Sequence, residues 1–145
     1  MDGLVRLWDV VSKKRMLVEL RDPQQTSVVR GIKGIDIGYS NTIISWGFEP
    51  YLNLWAPDYS IVRPFSGHLQ SLGMIMDAKC VRGSTLVVSL DNKNTIRIWD
   101  QRRMICIQSF GVSEGNFGIL TLKQGFIVYG RKMTLFEMAS DRSNE

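Results

Sequence analysis

The 145 residues of this chain predict an all-β protein made of β-propeller blades, about three of them in an incomplete propeller arc. Three observations carry that prediction. First, a short alternating strand ending in a large aromatic recurs along the chain. It reads Leu4-Val5-Arg6-Leu7-Trp8-Asp9, then Tyr51-Leu52-Asn53-Leu54-Trp55-Ala56, then Thr95-Ile96-Arg97-Ile98-Trp99-Asp100, with a weaker copy at Lys132-Met133-Thr134-Leu135-Phe136-Glu137. Second, the copies keep a period: 47 and 44 residues separate the successive Trp positions, and Phe136 follows after 37 more. A strand at fixed phase in a period near forty marks one propeller blade per repeat. Third, the segments between the copies are short, rich in Val, Ile, Leu and Thr, and punctuated by turn residues, with little apolar recurrence at helical spacing.

The elements follow in order. The first unit, a blade tail over residues 1–22, holds two strands, Leu4 to Trp8 and Met16 to Leu20. The second, over 27–66, reads as Val28 to Ile37, Thr42 to Trp46, Tyr51 to Trp55 and Ile61 to Phe65. The third, over 67–111, opens at Gly67-His68 and continues with Met74 to Val81, Ser84 to Leu90, Thr95 to Trp99 and Met104 to Phe110. Its short loops predict an antiparallel meander. A partial fourth unit, over 112–138, runs Gly118 to Leu122, Phe126 to Tyr129 and Met133 to Met138, with Gly115-Asn116-Phe117-Gly118 read as a turn. Residues 139–145 form a polar tail that is expected to fray.

Burial is the reason for four-stranded units. A lone sheet has two faces and must cover at least one, so blades stack face to face. The repeated Trp, at Trp8, Trp55 and Trp99, is expected to pack between blades, Trp55 and Trp99 being the strongest candidates and Phe136 a smaller substitute. An aromatic ligand cage is the competing reading of these rings, and core packing is preferred.

A hydrophobic fraction of 44% and a charged fraction of 22% suit a soluble globular domain. No apolar run approaches the ~18 residues that a membrane-spanning helix needs. With no signal-peptide pattern after Met1-Asp2-Gly3, a cytoplasmic location is expected. Cys80 and Cys106, the only cysteines, sit in strand-like contexts without metal-ligand spacing and read as reduced, packed thiols, a disulfide being the alternative.

The net charge is +4, and its basic clusters, Lys13-Lys14-Arg15 and Arg102-Arg103, follow Trp strands and read as solvated hairpin turns. The functional alternative is a basic rim facing an acidic partner. No zinc finger, basic helix or aromatic-basic RNA-binding pattern is present, so nucleic acid is not an expected partner. Asp91-Asn92-Lys93-Asn94-Thr95 lacks the Gly and Glu of a calcium loop and reads as a hairpin turn. The glycine-rich stretches lack the Lys and Ser or Thr of a phosphate loop. No nucleophile, base and orienting group stand in credible relation. Neither catalytic residues, nor a cofactor, nor a metal site are expected.

These residues resemble the WD-repeat (WD40) propellers, over roughly residues 2–138, and the third unit carries the resemblance best. In that family a His, a Ser or Thr, an Asp and the Trp form a buried hydrogen-bond relay within a blade. The resemblance gives three of those places to His68, Ser89 and Trp99. The family usually has its Asp six residues before the Trp, where Lys93 stands here; Asp91 lies eight before it. Either a longer turn brings Asp91 in, or the relay is incomplete. His68 is the only His, so no other blade can hold the full relay. The second unit departs further, with Ala56 after Trp55 and no Gly-His before it.

Arg30-Gly31-Ile32-Lys33-Gly34-Ile35-Asp36 with Leu54-Trp55-Ala56-Pro57, and Val88-Ser89-Leu90-Asp91 leading into the third Trp phrase and Cys106-Ile107-Gln108, are similar to long WD-repeat proteins of motile cilia and axonemes, some of which carry EF-hands.

Closed propellers need roughly four to eight blades, more than this chain supplies. The expected resolution is a protein partner, or missing blades of a longer chain, completing the propeller; self-association of the arc is a third possibility. The longer chain is favoured because the sequence starts and stops within blades. The function expected is a non-catalytic protein-interaction scaffold in a larger assembly. The ciliary resemblance implies an axonemal or microtubule complex, with tubulin or axonemal proteins as partners and the cilium or cytoskeleton as location. The alternative is an accessory propeller domain, or a fragment, of a larger enzyme or signalling complex.

Overall fold

A computed structural model describes residues 5–9, 11, 15–20, 32–47, 52–58, 62–65 and 73–138. Four antiparallel sheets follow one another along the chain. The first pairs β1 (Val5–Asp9) with β2 (Arg15–Leu20). The second holds β3 (Ile32–Ile37), β4 (Ile43–Gly47), β5 (Asn53–Trp55) and β6 (Val62–Pro64) in sequence order. The third repeats that meander with β7 (Ile75–Cys80), β8 (Leu86–Asp91), β9 (Thr95–Asp100) and β10 (Ile105–Gly111). The fourth contains β11 (Asn116–Leu122), β12 (Gly125–Gly130) and β13 (Met133–Glu137). This is the blade-like, all-β arrangement that the sequence predicts.

The sheets stack because each supplies apolar residues to the next. Val5 of β1 meets Ile43 and Trp55 of the second sheet. Ile44, Trp46, Leu52 and Phe65 of the second sheet close on Ile75, Ala78, Val87 and Trp99 of the third. Val88, Leu90, Ile96 and Ile98 then close on Ile119, Phe126 and Val128 of the fourth. The core is thus three interfaces rather than one centre, as a repeat architecture requires.

The first strands of successive sheets lie side by side, β3 against β7 and β7 against β11. Each carries a register shift near its start, at Ile32/Gly34, Ile75/Asp77 and Asn116/Gly118. Bulges of this kind add local twist, and their recurrence keeps the three blades alike. The residues that follow them, Gly34, Asp77 and Gly118, are therefore equivalent. Trp46 faces Gly34 and Tyr129 faces Gly118, and a Cβ at either glycine would fall within the facing ring.

Two expectations are corrected. Residues 115–118 do not form one turn: Gly115, at φ +83°, makes the turn, while Asn116 to Gly118 already belong to β11 and contain its bulge. Arg15 begins β2 instead of lying in a hairpin turn; Lys13 and Lys14 are outside the described residues. Arg102 and Arg103 do occupy the turn between β9 and β10.

Candidate functional site

The repeated aromatic takes part in a hydrogen bond inside two blades. Trp99, fully buried on β9, donates from Nε1 to the Ser89 hydroxyl on β8 at 2.8 Å. Trp55 donates to Ser45 in the same way at 2.9 Å. In each case the serine lies two residues beyond the residue paired with the Trp, which is Val87 or Ile43. In the fourth sheet Phe136 pairs with Phe126, and the position two residues on is Val128. Donor and acceptor therefore disappear together where the Trp becomes Phe, leaving no buried polar atom unpaired.

Asp91 is buried, but it serves the hairpin. Its carboxylate accepts from the backbone N–H groups of Lys93 at 2.9 Å and Thr95 at 3.0 Å, and pairs with the Arg97 guanidinium. It forms no hydrogen bond with Ser89 or Trp99. His68 lies outside the described residues, so the third blade shows a Trp–Ser pair with an acidic hairpin clamp beside it.

Trp8 departs from its expected place. It is 54% exposed, and Val5 makes the buried contact to the second sheet. A register shift falls between Leu7 and Trp8, so the third-strand alternation that buries Trp55 and Trp99 is interrupted there.

Two carboxylates to which the sequence assigns no role join the first strands. Asp36 on β3 accepts from the N–H of Ile37 at 3.0 Å with one oxygen, and from the N–H of Cys80 on β7 at 2.8 Å with the other. Asp77 on β7 does the same with Ala78 at 2.9 Å and with Ile119 on β11 at 2.8 Å. Neighbouring first strands do not pair with each other, so these aspartates satisfy inter-blade N–H groups that a ladder would otherwise fill. Their shared sequence signal is a single acid within a first strand that also carries one lysine, Lys33 or Lys79.

Aromatic contacts repeat the blade-to-blade connection further out. Phe65, just after β6, meets Trp99 edge-on with centroids 5.7 Å apart. Phe110, near the end of β10, meets Phe136 at 5.2 Å.

The far face of the fourth sheet has no such cover among the described residues. Leu120, Leu122, Tyr129, Met133 and Leu135 are all exposed there, Met133 to 73% and Leu135 to 56%. Their inward-facing neighbours Ile119, Phe126 and Val128 are buried against the third sheet. An apolar surface spread over three adjacent strands is the kind that marks an interaction site.

Cys80 and Cys106 are free thiols. Burial, assisted by Asp36, pushes the Cys80 thiol up to about 12; burial also raises Cys106. Cys80 is expected to resist a thiol-disulfide reagent at pH 8 in the native protein, with Cys106 reacting first. Liquid chromatography with mass spectrometry of the labelled peptides checks the order, and equal labelling would contradict it. Among the described residues no three His, Cys, Asp or Glu side chains cluster as a metal site, and no helix is long and apolar enough to cross a membrane.

No protein-family profile matches the chain. Its sequence is 26% identical over 114 residues to "Cilia- and flagella-associated protein 337 B" of Tetrahymena thermophila. That match takes in 77% of this chain but 8% of the relative, so the chain spans a small part of the relative's length. Among solved structures, that of the computationally designed Ika4 protein superimposes with a TM-score of 0.74, covering 95% of this chain and 81% of the designed one at 13% identity. At that identity the likeness is one of fold.

Proposed function

We propose that the chain is a non-catalytic interaction scaffold of WD-repeat type, working within a ciliary or axonemal assembly. The observation that carries the proposal is the uncovered apolar face of the fourth sheet. It is the counterpart of the third-sheet face formed by Val88, Leu90, Ile96 and Ile98, on which the fourth sheet itself sits. A surface of that composition suits another blade-like sheet, supplied by a longer form of this chain or by a protein partner. The resemblance to a ciliary relative supports the location, and its much greater length fits a role inside a larger protein. The basic turn at Arg102-Arg103 supports an acidic partner such as tubulin.

Size-exclusion chromatography with light scattering tests the face. The isolated chain is expected to associate as concentration rises, and Leu120→Glu with Leu135→Glu to return it to monomer without lowering its melting temperature. A wild-type chain that stays monomeric at high concentration, and leaves its surface open to apolar dyes without aggregating, would overturn the reading. The ciliary part is tested by localising a tagged full-length protein in ciliated cells; exclusion from the axoneme would remove it.

A further inference from the structure

A second surface lies between the second and third sheets, where their first-to-second-strand turns meet. The 3-10 turn Tyr39–Asn41 connects β3 to β4, and residues 81–85 connect β7 to β8. Between them is a cleft of about 330 Å³, bordered by Gly38, Tyr39, Val81, Arg82 and Ser84. That volume is at the lower end of the range for ligand sites.

The charged side chain lining this cleft is a cation, Arg82. Arg82 is exposed at its rim, and the Arg102 guanidinium lies 5.9 Å from the centroid of the exposed Tyr39 ring. Neither arginine has a carboxylate partner among the described residues. Two acids beside these groups, Asp36 and Asp100, are already occupied. Asp36 takes the N–H groups of Ile37 and Cys80, while Asp100 takes the Arg102 N–H and the Arg103 side chain. The Arg103 guanidinium holds Asp100 below the usual carboxylate range, so it stays ionised and engaged.

The turn is also held in place. Gln101 is buried, and its Oε1 accepts from the Tyr39 N–H at 3.3 Å and from the Thr42 hydroxyl at 2.9 Å. Its Nε2 is the one buried side-chain donor without an acceptor among the described residues. Ser40 and Asn41 both take left-handed conformations, at φ 53° and 60°. Consecutive non-glycine residues in that region cost energy, and such strain gathers at binding and switch sites. Gln101 thus fixes a strained turn whose Tyr39 ring lines the cleft together with Arg82 and carries the Arg102 guanidinium beside it.

We propose that this cleft binds an acidic peptide segment, with Arg82 and Arg102 receiving its carboxylates and Tyr39 packing against its backbone or side-chain stem. Paired arginines suit carboxylates because the guanidinium fork matches their geometry. This role rests on the scaffold reading and gives it a partner chemistry at a place separate from the fourth-sheet face.

The test is fluorescence anisotropy with a labelled hexaglutamate peptide at low and physiological salt. Binding is expected to weaken as salt rises, and by at least about tenfold in Arg82→Gln with Arg102→Gln. Lys123→Gln with Arg131→Gln, in the turns of the fourth sheet, is expected to leave it unchanged. Both arginines of the first pair are exposed, and an unchanged melting temperature shows that the variant folds. Equal loss in the two double variants would overturn the site in favour of diffuse charge attraction. A single-stranded DNA twelve-mer that binds as tightly as the peptide would overturn the acidic-peptide assignment. Because association through Leu120 and Leu135 is measured separately, loss of peptide binding with association intact fails the cleft alone.

Discussion

Trp99→Ala is expected to destabilise the arc by about 3–5 kcal/mol, the cost of emptying a large aromatic site in a packed core. Trp99 has no exposed surface, meets Phe65 of the preceding blade and donates to Ser89 within its own. The substitution therefore removes packing within one blade and between two, and leaves the Ser89 hydroxyl buried without its donor. Denaturant unfolding followed by circular dichroism measures the loss. The fourth sheet supplies an informative comparison, because its equivalent positions hold Phe136 and Val128. Ser89→Val alone strands the indole N–H, at a cost of about 1–3 kcal/mol. Trp99→Phe with Ser89→Val removes both polar partners and is expected to cost less than the sum of the single changes. Additive losses in that double-mutant cycle would show that the Trp–Ser bond does not couple the two strands.

The Trp phrase was readable because it joins two local signals, strand alternation and a ring too large to leave without a packing partner. Those signals place β5, β9 and β13 correctly, and the short loops around them give the meander. They do not determine what covers each ring. Trp8 shares the phrase with Trp99, yet a register shift and the neighbouring sheet leave it exposed, and neither is encoded within six residues of it. The reading of residues 115–118 failed for a related reason. Glycines suggest a turn, but Gly118 is needed inside a strand because the Tyr129 ring occupies the place of its side chain. Asp91 could be placed at the hairpin from sequence, whereas its choice of Lys93, Thr95 and Arg97 over Ser89 depends on the turn's path.

Asp36 and Asp77 were the least readable residues of all. A single acid in a strand resembles a solvent-facing position, and its real partner is 44 residues away for Asp36 and 42 for Asp77. Only the relative placement of two blades reveals it. The open face of the fourth sheet lies between these cases. Its alternation of Leu120, Leu122, Tyr129, Met133 and Leu135 is visible locally, but that alternation cannot tell which of two apolar faces finds cover. Information about blades is local, and information about the joints between them is not.

Those joints are where the second large effect is expected. Asp77→Ala deprives the Ala78 and Ile119 N–H groups of their acceptor, and unsatisfied buried donors cost about 1–3 kcal/mol. Asp77→Asn keeps one carbonyl oxygen for two donors and turns its amide group toward the other, so a partial loss is expected. The sharper readout is amide hydrogen exchange. Ile119 is expected to lose protection in Asp77→Ala, while the Cys80 amide, held by Asp36, keeps it; Asp36→Ala is expected to give the reverse. That exchange pattern separates a clasp from a general loosening, which would expose both amides in both variants. If Ile119 remained protected without Asp77, packing of Val88 and Leu90 against Ile119 would be what joins the third and fourth sheets. If the reciprocal pattern appears, each first strand is secured to the next by one carboxylate, and the curvature of the arc is set by charge-assisted bonds as well as by apolar contact.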